Sequence, residues 1–350
     1  MRPFDFTFPS RIVGGPGAVG HIGRLVRELG GTQALLLAGP ACAAAGVTGR
    51  IAAILERDGL AVTTHESGTG DSRSESSRLV AVSRDAAPTV VTVTVGTELV
   101  LRAQRWTGRN PTISVPSLID WGATTPGSRV EVDGGNTTGT ARMTEVVVFD
   151  AELSAGTSRD TIASALIDAT TDAIEAWVST RRTVMSDLCA REAWRYLASS
   201  FMRLLSSPDD LDAMSAALLG SFLASTAAEH STLGAAHACA RPVSRRYGVP
   251  HATALALLLP EVVRWNSRVV ADRYAELASV RGEARRPETL VARLEDLVSA
   301  ASFPERLAAA GVVESELPTL AVEASADRVG EFNPRKFDVA GALEIYAAAY

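Results

Sequence analysis

The first 150 residues alternate short strand-like runs with helical runs, and the strand signals stop at about residue 152. The clearest strand is TVVTVTVG, which is rich in β-branched residues, and QALLLAG, LAVTTHE and PTISVPS have the same character. The run AAAGVTGRIAAILERDG, between two of these strands, is expected to form one helix. Alternation of this kind favours a parallel sheet with helices on both faces. The segment RVEVDGGNTTGTARMTEVVVFD then predicts a hairpin around Gly134 and Gly135.

Beyond residue 152, long amphipathic helical runs replace the strands, for example TIASALIDATTDAIEAWVST and VMSDLCAREAWRYLASSFMRLL. Prolines separate these runs, which is typical of helix boundaries. The sequence therefore predicts an α/β domain at residues 1–153 and an all-α domain at residues 154–350.

Charge and composition exclude several classes of partner. With a net charge of −6 and no basic stripe, the chain is not expected to bind nucleic acid. We expect no membrane contact either, because no run of about 18 apolar residues lacks a polar break and the N-terminus lacks a signal peptide's apolar stretch. Cys42, Cys189 and Cys239 are too widely spaced for a disulfide framework, which favours a cytoplasmic protein. Lys336 is the only lysine, so mechanisms that need a lysine are almost all excluded.

Five segments spread over nearly the whole chain carry a family resemblance. They are FPSRIVGGPGAV, VVVFDAEL, ALIDATTDAIEAW, LGAAHACARPVSRRYGVPHATALALLLPEVVRWN and FNPRKFDVAGALEIYAAAY. Together they resemble the iron-containing (group III) alcohol dehydrogenase superfamily, and the last is similar to maleylacetate reductases. The resemblance implies a Rossmann-like parallel-sheet domain followed by a helical domain, the architecture that dehydroquinate synthase-like proteins share.

The resemblance also implies a metal site at Asp168, Asp172, His237 and His251. The two aspartates are at i, i+4 in a helical run, so they share one helix face. Two carboxylates and two imidazoles would suit Fe²⁺ or Zn²⁺. Asp172 departs from the family pattern, which usually has histidine there. The alternative is an ordinary polar helix face beside two buried histidines, because spacing alone does not identify a metal site.

The nucleotide-binding segment departs further from the family pattern. The family carries a Gly-Gly-Gly-Ser turn after a strand, where this chain has TVGT at residues 94–97. Val95 would bring a β-branched side chain to a place where a positive φ is wanted, and the motif's lysine is missing. Gly39 stands where the family usually has the aspartate that binds the adenosine ribose. Gly39, Gly96, Thr97 and Ser117 are the candidate contacts to NAD(P), whose motif is degenerate.

Three functions follow as hypotheses. The first is a metal-assisted NAD(P)-dependent oxidoreductase that acts on an alcohol, ketone or hydroxy acid, with a place in secondary metabolism. In it Arg241 would orient an acidic substrate, although a salt bridge explains this arginine equally well. The second is a catalytically degenerate subunit that binds a peptide or a partner protein, as a homodimer or a heteromer with a related subunit. The third is a redox-neutral metal-dependent lyase or cyclase, by analogy alone.

Overall fold

The computed structural model describes residue 6 and residues 10–66, 89–96, 110–117, 144–280, 282 and 284–350. Its described strands form one sheet in the order β1-β6-β5-β4-β2-β3, and every pairing is parallel. The strands are β1 (Arg11–Gly14), β2 (Gln33–Ala38), β3 (Ala61–Glu66), β4 (Val90–Val95), β5 (Thr112–Val115) and β6 (Val146–Phe149). The predicted parallel sheet is therefore confirmed. The predicted hairpin around Gly134 and Gly135 lies outside the described residues.

The central strands are buried along their whole length. Every residue of β4, β5 and β6 is buried, as expected for a parallel sheet whose strands are continuous apolar runs. In register, Ala38 pairs with Val95, and Val95 pairs with Val115. The carboxyl ends of β2, β4 and β5 therefore lie side by side at one edge of the sheet.

The helices between these strands are shorter than the sequence predicts. Within the part of the chain that the structure describes, they are α1 (Ile22–Glu28), α2 (Pro40–Ala44) and α3 (Val47–Arg57). The run AAAGVTGRIAAILERDG was expected to form one helix, but Gly46 adopts φ 75° and separates α2 from α3. A left-handed glycine ends a helix at no steric cost, because it has no Cβ. The apolar stripe of α3, with Val47, Ile51 and Leu55, is buried.

The rest of the chain is helical. Its helices are α4 (Arg159–Val178), α5 (Val184–Ser206), α6 (Leu211–Glu229), α7 (Ala235–Tyr247), α8 (His251–Ser279), α9 (Pro287–Ala300), α10 (Leu317–Ser325) and α11 (Val339–Ala349). Trp194, Tyr274 and Tyr346 are almost wholly buried in one core cluster of this part. Helix α8 is kinked at Val270, whose φ of −132° is not helical.

Spatial contacts divide the chain into two compact units. One comprises Thr7–Thr161 with Pro208–Leu218, and the other Met1–Phe6, Ile162–Ser207 and Leu219–Tyr350. The loss of strand signals along the sequence instead predicts the domain boundary after residue 153. Of the described helices, α6 is apolar and long enough to cross a membrane by composition, but 61% of its 18-residue window is buried. The core helices of soluble proteins have the same composition.

Candidate metal site

Three acidic residues lie on one face of α4. Asp168, Asp172 and Glu175 are spaced i, i+4 and i+7, which brings side chains to the same side of a helix. Most of α4 is buried, so these carboxylates need polar partners to offset the loss of hydration. Glu175 itself is only 4% exposed.

The two histidines reach this face from two successive helices. His237 is in the first turn of α7, and His251 is the first residue of α8. One ligand atom from each of Asp168, His237 and His251 lies within 4.8 Å of those of the other two. The two imidazole rings are 5.5 Å apart, centroid to centroid. The structure thus brings both histidines that the resemblance implies close to Asp168.

The ring of His237 is held from both sides. Its Nδ1 lies 2.7 Å from Oε2 of Glu175. Its Nε2 lies 3.4 Å from Oδ1 of Asp172. Because Nδ1 is engaged by Glu175, Nε2 is the ring atom available to a metal ion. Asp172, the fourth predicted ligand, is therefore beside the metal-binding nitrogen of His237.

Burial and neighbouring charges shift the pKa values of Asp172, His237 and His251. Burial raises the pKa of Asp172 to about 8, although the charge of His237 opposes the shift. Burial by itself would lower the pKa of His237, but its hydrogen bond to Glu175 and the nearby carboxylates outweigh this and raise it to about 9. Burial and the positive charges of His237 and Arg241 lower the pKa of His251 to about 4. At neutral pH His251 therefore offers a neutral nitrogen.

The donor set fits a divalent transition metal. One carboxylate and two imidazoles are the ligand types that Zn²⁺ and Fe²⁺ accept, and Asp172 offers a further oxygen. A ligating histidine usually donates its other ring N–H to a carboxylate or carbonyl, as His237 does to Glu175. Asp168, His237 and His251 are thus the residues that could hold a metal ion, and Asp172 lies beside His237.

Arg241 is one helical turn after His237 and forms an ion pair. Its Nη1 lies 2.8 and 3.1 Å from the two carboxylate oxygens of Asp327. The arginine side chain is 47% exposed, so this pair contributes only about 0–1 kcal/mol to stability. Arg241 thus forms the salt bridge that was the alternative explanation. Its positive charge also helps to lower the pKa of His251. A role in substrate binding stays a prediction.

Gly39, Gly96 and Ser117 meet at the carboxyl edge of the sheet, where parallel sheets bind ligands. Gly39 N donates to Val95 O at 3.3 Å, and Gly96 N donates to Val115 O at 3.4 Å. These two N–H groups are therefore already engaged within the sheet. The interpretation of Val95 was wrong: it is a buried strand residue, and Gly96 takes the positive φ of 74°. Thr97 lies outside the described residues.

The sequence interpretation missed Glu175 and Asn333. Glu175 is three residues after Asp172 in DATTDAIEAW, so helical periodicity could have added it to the acidic face. Asn333 Oδ1 accepts from Ala235 N at 3.3 Å, and Asn333 also hydrogen-bonds with Asn266. No sequence signal links Asn333 to the start of α7, which is 98 residues earlier.

Comparison with known proteins gives a consistent picture. The sequence profile of the "Fe-containing alcohol dehydrogenase family, C-terminal" matches residues 161–350. The probable alcohol dehydrogenase EutG of Escherichia coli (strain K12) is 25% identical over 100% of this chain and 95% of its own length. Maleylacetate reductase from Burkholderia cepacia is 27% identical over 93% of this chain and 90% of its own. The crystal structure of maleylacetate reductase from Agrobacterium tumefaciens has a similar fold, with a TM-score of 0.84, 24% identity and coverage of 100% and 99%.

Proposed function

Since the chain belongs to the iron-containing alcohol dehydrogenase family, we propose that it is a metal-assisted, NAD(P)-dependent oxidoreductase. The observation that supports this most is the convergence of Asp168, His237 and His251 on one point, with His237 fixed by Glu175. The relatives named as a probable alcohol dehydrogenase and a maleylacetate reductase support an alcohol, a ketone or a hydroxy acid as the substrate.

The residues have distinct roles in this proposal. Asp168, His237 and His251 would hold the metal ion, which would supply a Lewis acid for an alcohol or carbonyl oxygen, and bound NAD(P) would supply the hydride chemistry. His251 needs no deprotonation at neutral pH to act as a ligand, because its pKa is lowered to about 4. Asp172 lowers the net charge of the site, which weakens the Lewis acidity of the metal relative to a site with histidine in that place.

Two measurements on the purified full-length protein test the proposal. Metal analysis after purification without chelators is expected to find about one Zn²⁺ or Fe²⁺ per chain. Titration with NADH and NADPH, followed by nucleotide fluorescence, is expected to saturate. Turnover should then be sought with maleylacetate and with a series of primary alcohols. Absence of nucleotide binding at millimolar concentration would overturn the hydride-transfer proposal.

A second candidate is the catalytically degenerate subunit, which one observation favours. The N–H groups of Gly39 and Gly96 donate to neighbouring strands, so neither is available to a pyrophosphate. In this alternative the protein binds metal but not nucleotide, and it acts with a partner protein. A stable metal site combined with failed nucleotide titrations would support this function over the first.

A further inference from the structure

Glu175 is a buried carboxylate whose oxygens accept three N–H groups. Its Oε1 accepts from Ala236 N at 2.6 Å, and its Oε2 accepts from Gly234 N at 3.0 Å and from His237 Nδ1 at 2.7 Å. A carboxylate that is 4% exposed is tolerated only where such donors replace water. All three donors belong to the residues that begin α7.

We propose that Glu175 is a positioning residue that sets the orientation and tautomer of His237 for metal binding; this inference rests on the metal site of the proposed function. Because Nδ1–H donates a hydrogen bond to Glu175, Nε2 is left on the side of Asp172 and is the nitrogen that would bind the metal after it loses its proton. A carboxylate partner also increases the basicity of the ligating nitrogen. Glu175 is not among the three residues whose ligand atoms converge.

Capping of α7 alone does not account for this arrangement. Asn333 Oδ1 already accepts from Ala235 N, the first residue of the helix, at 3.3 Å. Asparagine and serine satisfy a helix start without the desolvation of a full charge. Gly234 has the complementary role: a Cβ added there would lie 3.1 Å from both Glu175 Oε1 and Asn333 Oδ1. The glycine thus lets the start of α7 approach the carboxylate closely.

The test is Glu175→Gln in the full-length protein, stripped of metal. In one orientation of the glutamine amide, its NH₂ group would face the N–H of Ala236. In the other orientation, it would face the N–H of Gly234 and Nδ1 of His237. In the second case the ring proton moves to Nε2, which then cannot bind metal. We expect the Zn²⁺ affinity, measured by competition with a chromophoric chelator, to fall by about 10–100-fold. The visible absorption of the Co²⁺-loaded protein should change as well, because the ligand geometry differs.

Asn333→Ala is the matched control, since it removes an acceptor from the same helix start without touching His237. It should lower the Tm while leaving the Zn²⁺ affinity within about twofold of wild type. Wild-type affinity in folded Glu175→Gln, or an equal loss in Asn333→Ala, would overturn the positioning role. Should Glu175→Gln not fold, Glu175→Asp keeps the charge but cannot reach Nδ1, and unchanged affinity there would overturn it.

Failure of the inference and failure of the proposed function are distinguishable. A wild-type protein that binds no Zn²⁺, Fe²⁺ or Co²⁺ would overturn both. Failure of NADH and NADPH to bind would overturn hydride transfer alone, because the metal affinities of the Glu175 and Asn333 variants do not depend on nucleotide.

Discussion

Asp172 Oδ1 lies 3.4 Å from His237 Nε2, the ring nitrogen that Glu175 leaves available for a metal ion. Asp172 stands where the family usually has a histidine, so an anionic oxygen replaces a neutral nitrogen beside the metal position. In the absence of metal this contact favours a proton between the two groups, because both pKa values are raised. A bound cation would take the place of that proton.

Asp172→Asn should weaken metal binding. The amide keeps the shape of the side chain but removes its charge, whether Asp172 ligates directly or only orients His237. We expect the Zn²⁺ affinity to fall by about 10–100-fold, measured by chelator competition. Asp160→Asn, an exposed residue in the first turn of the same helix, is the control and should bind Zn²⁺ as wild type does. Equal affinities in all three proteins would show that Asp172 has no part in the site.

Metal affinity should increase with pH. The pKa values of His237 and Asp172 are both raised and the two buried groups share a proton, so metal binding at neutral pH must displace that proton. His251, with its pKa lowered to about 4, has none to lose. Between about pH 6 and 8 the Zn²⁺ affinity should therefore increase by about tenfold per pH unit. Isothermal titration in buffers of different ionisation enthalpy counts the protons released. A Zn²⁺ affinity that is constant over this range would contradict the displacement of a proton by the metal ion.

The sheet was predictable from sequence because it depends on local periodicity, whereas the candidate ligands Asp168, Asp172, His237 and His251 were implied by the family resemblance. Runs such as QALLLAG and TVVTVTVG indicate buried strands, and the spacing of Asp168 and Asp172 indicates one helix face. The partners of His237 were not predictable in this way. The bond from His237 to Glu175 depends on how α4 lies beside α7, which local sequence does not encode. The break at Gly46 was missed, and the positive φ of the turn was expected at Val95 instead of Gly96, because each depends on a single backbone dihedral.

Gly234→Ala should destabilise the start of α7. The added Cβ would lie 3.1 Å from Glu175 Oε1 and from Asn333 Oδ1, so both must move by a few tenths of an ångström. We expect the free energy of unfolding of the metal-free protein to fall by about 1–3 kcal/mol, measured by urea titration. Gly49→Ala in α3 is the opposite case, because its Cβ meets nothing within 4 Å. It should stabilise by about 0.5–1 kcal/mol, as expected for alanine in a helix. Equal stability of both variants would contradict the packing argument.

Arg241→Ala should lower kcat/KM for acidic substrates but not for neutral ones. Arg241 influences His251 electrostatically and is held by Asp327, so its guanidinium is a fixed cation near the metal position. If a substrate carboxylate binds there, the loss of a charge-assisted hydrogen bond should lower kcat/KM for maleylacetate by about 10–100-fold and leave neutral alcohols unchanged. Arg245→Ala is the matched control, because Arg245 is on the same helix as Arg241 and also forms an ion pair, with Glu323. It should affect neither class, since the pKa of His251 is not shifted by Arg245. A loss of equal size for both substrate classes would instead mean that Arg241 serves only its ion pair with Asp327.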